Sequence, residues 1–195
     1  ELHQWLSVYK GVSDDTSRQG ADRLNVSRPV ANRAIAPTGT IGLLAGTSQG
    51  IEPVYASAYK RRYLTNGTKW KHQYEVDFTA KTLADQFGIN PDDMETASDL
   101  ATDYERRIAF QADIQDYVDM SISSTINLPN QAAQSFSTEQ FAATLAKYAS
   151  RLRGFTCYPD GSRGGQPITK VSYKEAISKL GTEFDEHVEY NDVCD

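Results

Sequence analysis

The chain has 195 residues, 39% of them hydrophobic and 10% aromatic, enough for one ordinary globular domain or a piece of a larger one. That composition excludes collagenous, mucin-like and disordered chains. Its 20 Lys and Arg against 26 Asp and Glu leave a formal charge of −6, and the longest basic run is Lys60-Arg61-Arg62, so no nucleic-acid surface is expected.

No window approaches the roughly 18 consecutive apolar residues of a membrane helix. The chain opens on Glu1-Leu2-His3-Gln4-Trp5, with neither an initiator Met nor an apolar leader, and reads as a fragment. Cys157 and Cys194 are too few for a disulfide scaffold, which makes a reducing cytoplasm the default.

In chain order, residues 32–36 are short and apolar at their end and stop at Pro37, as a buried strand would. Residues 75–87 carry Val76, Phe78, Ala80, Leu83, Ala84 and Phe87 at helical spacing, ended by Gly88. Asn90-Pro91-Asp92-Asp93 has the chemistry of a helix start, and a third helix is expected over 104–118.

Residues 121–128 are β-branched, hydroxyl-rich and closed by Pro129, which favours a strand. Ser137-Thr138-Glu139-Gln140 is a capping box flanked by Phe136 and Phe141 as a hydrophobic staple; Phe141, Leu145, Tyr148 and Leu152 continue the stripe. With a strand at 155–158 this makes a βαβ unit and an α/β fold class, the two strands parallel. Residues 1–160 then form one packed unit, and 161–195 a loosely attached polar tail.

Chemistry concentrates after the first strand. In Ala36-Pro37-Thr38-Gly39-Thr40-Ile41-Gly42 a turn offers consecutive backbone N–H groups, unobstructed at Gly39, to an anion such as phosphate. It is neither a Walker loop nor a dinucleotide fingerprint, and a plain strand-to-helix turn remains open on these residues alone. Glu52, beside Pro53, either orders this loop, pairs with Arg61, or is simply solvated. His3, His72 and His187 lack metal-ligand spacing, so no protein-bound metal is expected. Cys157 reads as a small buried hydrophobe, and Cys194 as an accessible thiol near the C-terminus.

Three blocks in order carry a resemblance. They are residues 36–53, beginning Ala36-Pro37-Thr38-Gly39-Thr40-Ile41; residues 118–129, ending Thr125-Ile126-Asn127-Leu128-Pro129; and residues 154–163, beginning Gly154-Phe155-Thr156-Cys157-Tyr158. Together they resemble ribonucleotide reductase large subunits, most of all the adenosylcobalamin-dependent class II type.

The resemblance implies the C-terminal part of a ten-stranded α/β barrel, incomplete as it stands. It implies reduction of ribonucleoside diphosphates, or triphosphates, to deoxyribonucleotides by thiyl-radical chemistry, with diphosphates as the default. Pro37, Thr38, Gly39, Thr40 and Ile41 match the loop that holds the substrate's phosphates. The family's Asn-x-Cys-x-Glu radical motif is not in this chain, so no catalytic residue is assigned and Cys157 inherits no role.

Cys194 matches the start of the family's C-terminal redox tail, which takes electrons from thioredoxin or a similar dithiol. The implied partners are the ribonucleotide, that reductant and the rest of the reductase chain, with a homodimer left open. The iron-dependent class I large subunit resembles Pro-Thr-Ala-Ser at this loop and carries an adjacent Tyr-Tyr; this chain has Pro37-Thr38-Gly39-Thr40 and Cys157-Tyr158. A radical made locally on a cobalamin needs no tyrosine relay. The alternatives are that class I subunit and a non-catalytic α/β module that binds a phosphorylated ligand.

Overall fold

The computed structural model describes residues 1–65, 69–129, 136–159 and 168–185. Its elements, in chain order, are α1 Leu2–Leu24, α2 Gly39–Ala45, β1 Ala58–Thr65, β2 Lys69–Val76, α3 Phe78–Phe87, α4 Tyr104–Gln115, β3 Thr125–Leu128, α5 Thr138–Tyr148, β4 Thr156–Pro159, β5 Ile168–Lys170, α6 Tyr173–Lys179 and β6 Glu183–Asp185. They divide between two compact units, Glu1–Glu52 with 99–159, and Pro53–Ser98 with 168–185.

In the first unit the expected βαβ unit is present: β3 and β4 pair in parallel, Thr125 opposite Thr156 and Ile126 opposite Cys157. The capping box forms as its spacing dictates, with the Gln140 N–H donating to Ser137 Oγ at 3.3 Å. The staple packs too, Phe136 and Phe141 having ring centroids 6.1 Å apart. Buried Ile108, Ile126 and Leu128 form one apolar cluster, closed by Tyr104, Phe141, Tyr148, Leu152 and Phe155. Ser137→Ala is expected to destabilise this unit by about 1 kcal/mol in urea unfolding, the cost of one lost helix cap.

A second cluster joins buried Ile114, Val118 and Ile122 to Leu6, Ile35 and Ile51. Here the expected strand at 32–36 shrinks to one parallel bridge, Ile35 to Ile122. The Ile35 N–H donates to the Ser121 carbonyl at 3.3 Å and the Ser123 N–H to the Ile35 carbonyl at 2.8 Å. The proline that ends the segment cannot donate, so the ladder goes no further. The helix at 104–118 stops at Gln115, whose side-chain amide donates to the Val118 and Met120 carbonyls and turns the chain toward β3.

The second unit departs most from the sequence reading. Its sheet runs β5-β1-β2-β6, antiparallel throughout, with Ala58, Tyr74 and Ala176 at the core. The basic run at 60–62 is the middle of β1. The helix expected over 75–87 begins only at Phe78, because Glu75 and Val76 are held in the ladder opposite Tyr59 and Ala58. Asp77 then caps it, accepting from the Thr79 and Ala80 N–H groups at 2.8 and 3.1 Å.

Asn90 caps as expected, but only a 3-10 turn, Pro91–Asp93, follows. The loose tail expected beyond residue 160 is instead regular over 168–185: β5 and β6 extend the sheet on its two edges, and α6 places Ala176 in its core. Weak periodicity there reflects strands of three residues, too short to display a pattern. No helix among the described residues is long and apolar enough to cross a membrane.

Candidate functional site

Residues 37–51 form a closed loop around α2. The Gly42 N–H donates to the Thr38 carbonyl at 2.7 Å, the first i to i−4 bond of the helix. The amides of Gly39, Thr40 and Ile41 precede it and have no partner within the helix. Thr40 and Ile41 are exposed, Ile41 at 69%. The structure thus brings the five residues singled out, Pro37 to Ile41, onto one accessible turn.

The rest of the loop folds back on that turn. The Gly50 N–H donates to Thr38 Oγ1 at 3.1 Å, leaving the hydroxyl proton of Thr38 available to a ligand. Gly50 sits at φ 54°, where a side chain is strained, and an added Cβ would lie 3.2 Å from Ile35 Cγ2. Gly42 is buried because Gln49 fills its missing side chain: a Cβ there would stand 2.8 Å from Gln49 Cγ and 3.3 Å from the Thr47 carbonyl oxygen. Gly39 differs, since its Cβ would meet Gln49 Oε1 at an ordinary 3.5 Å.

Glu52 ends the loop, and of the sequence alternatives the one that orders it is realised. Its Oε1 accepts from the Thr125 N–H at 2.5 Å, and its Oε2 from Arg107 Nη2 at 3.1 Å. Arg107, itself buried, also donates to Ser124 Oγ at 2.7 Å. Burial pushes the Glu52 carboxyl upward in pKa, against the Thr125 amide, Arg107 and Ser124, which pull it down. Burial likewise lowers Arg107, opposed by Glu52. Arg61, the partner considered from sequence, pairs instead with Glu75 at 3.4 Å within the second unit.

Arg33, just before the loop, is a residue that sequence reasoning passed over. Its side chain is 1% exposed and donates to Asp14 Oδ1 and Ser13 Oγ at 2.6 Å each, Asp119 Oδ1 and the Tyr117 carbonyl at 2.9 Å, and the Lys10 carbonyl at 3.2 Å. Its hydrogen bond to Asp14 holds that carboxyl below the usual range. Arg107 was missed as well. Neither carries a local signal, since a buried arginine is identified by carboxylates distant in sequence.

Cys157 lies in β4 opposite Ile126, against the first apolar cluster, and burial pushes its thiol up. That environment suits a small hydrophobe and not a reactive thiolate. Cys194 lies outside the described residues.

A parallel β3–α5–β4 unit with the 37–51 loop fastened beside it defines an α/β protein. The family model described as "Ribonucleotide reductase, barrel domain" matches residues 28–158, and the chain belongs to that family. It is 30% identical over 175 residues to the vitamin B12-dependent ribonucleoside-diphosphate reductase of Mycobacterium tuberculosis (strain CDC 1551 / Oshkosh), a match covering 77% of this chain and 24% of that one. The enzyme of the same name from Thermoplasma acidophilum is 28% identical, covering 83% and 24%.

An adenosylcobalamin-dependent ribonucleoside-triphosphate reductase of Lactobacillus acidophilus is 24% identical, covering 92% and 26%. Among solved structures, a crystal structure of a B12-dependent (class II) ribonucleotide reductase superposes with TM-score 0.66 at 15% identity, covering 90% of this chain and 26% of that one. The chain therefore spans about a quarter of the length of the curated relatives it matches.

Proposed function

We propose that this chain is the substrate-phosphate part of an adenosylcobalamin-dependent ribonucleotide reductase, within the C-terminal part of a ten-stranded α/β barrel. The observation that carries the reading is the 37–41 turn, whose Thr40 and Ile41 are exposed ahead of the first helical hydrogen bond while the loop around them is fastened down. The Gly39, Thr40 and Ile41 N–H groups and the Thr38 and Thr40 hydroxyls donate to phosphate oxygens, with Pro37 fixing the turn's approach. Their role is to bind and orient a ribonucleoside diphosphate so that its ribose meets the radical-bearing part of the enzyme.

Adenosylcobalamin, when bound to a complete reductase, supplies the initiating radical. The loop's donors suit an anion, and the share assigned here to this chain's own residues is to hold the phosphates. Cys194 is assigned to the start of a redox tail reduced by thioredoxin or a similar dithiol, which fits a cytoplasmic setting. The other partners are the rest of the reductase chain and, as a further part of the proposal, a second copy.

The test is nucleotide reduction by a reductase of full family length carrying these residues, with a dithiol and with or without adenosylcobalamin. Cobalamin-dependent deoxynucleotide is the expected product. Product only with an iron-containing small subunit moves the chain to class I, and none in either case favours a binding module.

A further inference from the structure

The 37–51 loop is anchored at both ends to one short stretch, 117–125, that links α4 to β3. At its incoming end Arg33 donates to the Tyr117 carbonyl and to Asp119, and the Met120 N–H donates to the Arg33 carbonyl at 2.9 Å. At its outgoing end Glu52 accepts from the Thr125 N–H and from Arg107, which also holds Ser124. Between the two polar anchors, Ile35 and Ile51 pack on the same buried cluster of Ile114, Val118 and Ile122.

Such pairing fixes the distance between the loop's ends. A half-buried carboxylate and a buried guanidinium are costly to desolvate, so their use here points to geometry that apolar contacts alone would leave loose. We infer that Arg33 and the Glu52–Arg107 pair are positioning residues for the phosphate turn. They touch no substrate; they hold the 117–125 stretch as a template on which the Gly39, Thr40 and Ile41 amides keep a common direction. This inference rests on the loop's proposed phosphate role.

The outgoing anchor is the one to test, because Glu52→Gln keeps an oxygen for the Thr125 N–H while removing the charge that faces Arg107. Glu52→Ala removes both bonds. In a reductase of full family length, Glu52→Ala is expected to raise the nucleotide KM by about tenfold and Glu52→Gln by about threefold, with kcat at saturating nucleotide within about threefold of the parent, since misplacing a binding group acts on ground-state binding. Equilibrium binding of the ribonucleotide should weaken in the same order.

A residue serving stability alone would lower the melting temperature and the yield, while the folded enzyme kept its KM. An unchanged KM in Glu52→Ala, or in Glu52→Gln should the alanine variant not fold, overturns the inference. Gly39→Val in the same assay separates the two levels. If it raises KM and the Glu52 variants do not, only the positioning role fails; if it leaves KM unchanged, the phosphate reading fails and the positioning role with it.

Discussion

Gly39→Val, introduced into a reductase of full family length, should raise the nucleotide KM by about tenfold or more, a branched side chain standing where the proposed phosphate site meets the backbone. What makes the position informative is that the fold has room for a Cβ there. It meets nothing closer than Gln49 Oε1 at 3.5 Å, so Gly39→Ala, run beside the valine variant, should keep essentially the parent's melting temperature. Gly42 supplies the contrast. A Cβ there stands 2.8 Å from Gln49 Cγ and 3.3 Å from a backbone carbonyl, so Gly42→Ala perturbs the loop itself. Steady-state kinetics and thermal melting of these variants separate loss of ligand access from loss of loop packing. An unchanged KM in Gly39→Val would remove the turn from the phosphate site.

The largest effect on stability is expected from Arg33→Met. The change deletes five donated hydrogen bonds and leaves Asp14 and Asp119, with side chains 23% and 29% exposed, without their shared cation. Removing one member of a buried charge cluster costs about 3–5 kcal/mol, and the partial access of water to both carboxylates places this case near about 3 kcal/mol. For a chain of this size that corresponds to a fall in melting temperature of about 6–12 °C.

Arg28 is the internal control. It makes a comparable two-pronged bond to Asp22, at 3.0 and 2.7 Å, but the two side chains are 59% and 56% exposed. Arg28→Met should cost far less than Arg33→Met, because water screens the exposed pair. Urea unfolding of both variants decides the matter. Equal costs would show that burial of Arg33 adds nothing beyond the salt bridge.

Features that depend on neighbours a few residues away are legible in the chain alone. The Ser137 and Asn90 caps and the Gly88 stop each satisfy backbone groups within a helical turn, so their chemistry is complete in a short window. The parallel β3–α5–β4 unit was legible for the same reason, two short apolar strands flanking an amphipathic helix. The 37–41 turn was legible because proline, glycine and threonine restrict the backbone where they stand.

Tertiary structure alone decided the rest. Glu52 and Arg107 are 55 residues apart and Arg33 and Asp119 are 86 apart, so nothing local distinguishes these partners from the solvated charges around them. The β1–β2 ladder took Glu75 and Val76 away from a helix whose spacing they fitted, because pairing across strands outweighs helical periodicity at a boundary. Residues 168–185 read as a tail because strands of three residues have no pattern of their own; edge pairing with β1 and β2 and burial of Ala176 give them their structure. Local chemistry chose the 37–41 turn, and contacts between segments distant in sequence chose what it is fastened to.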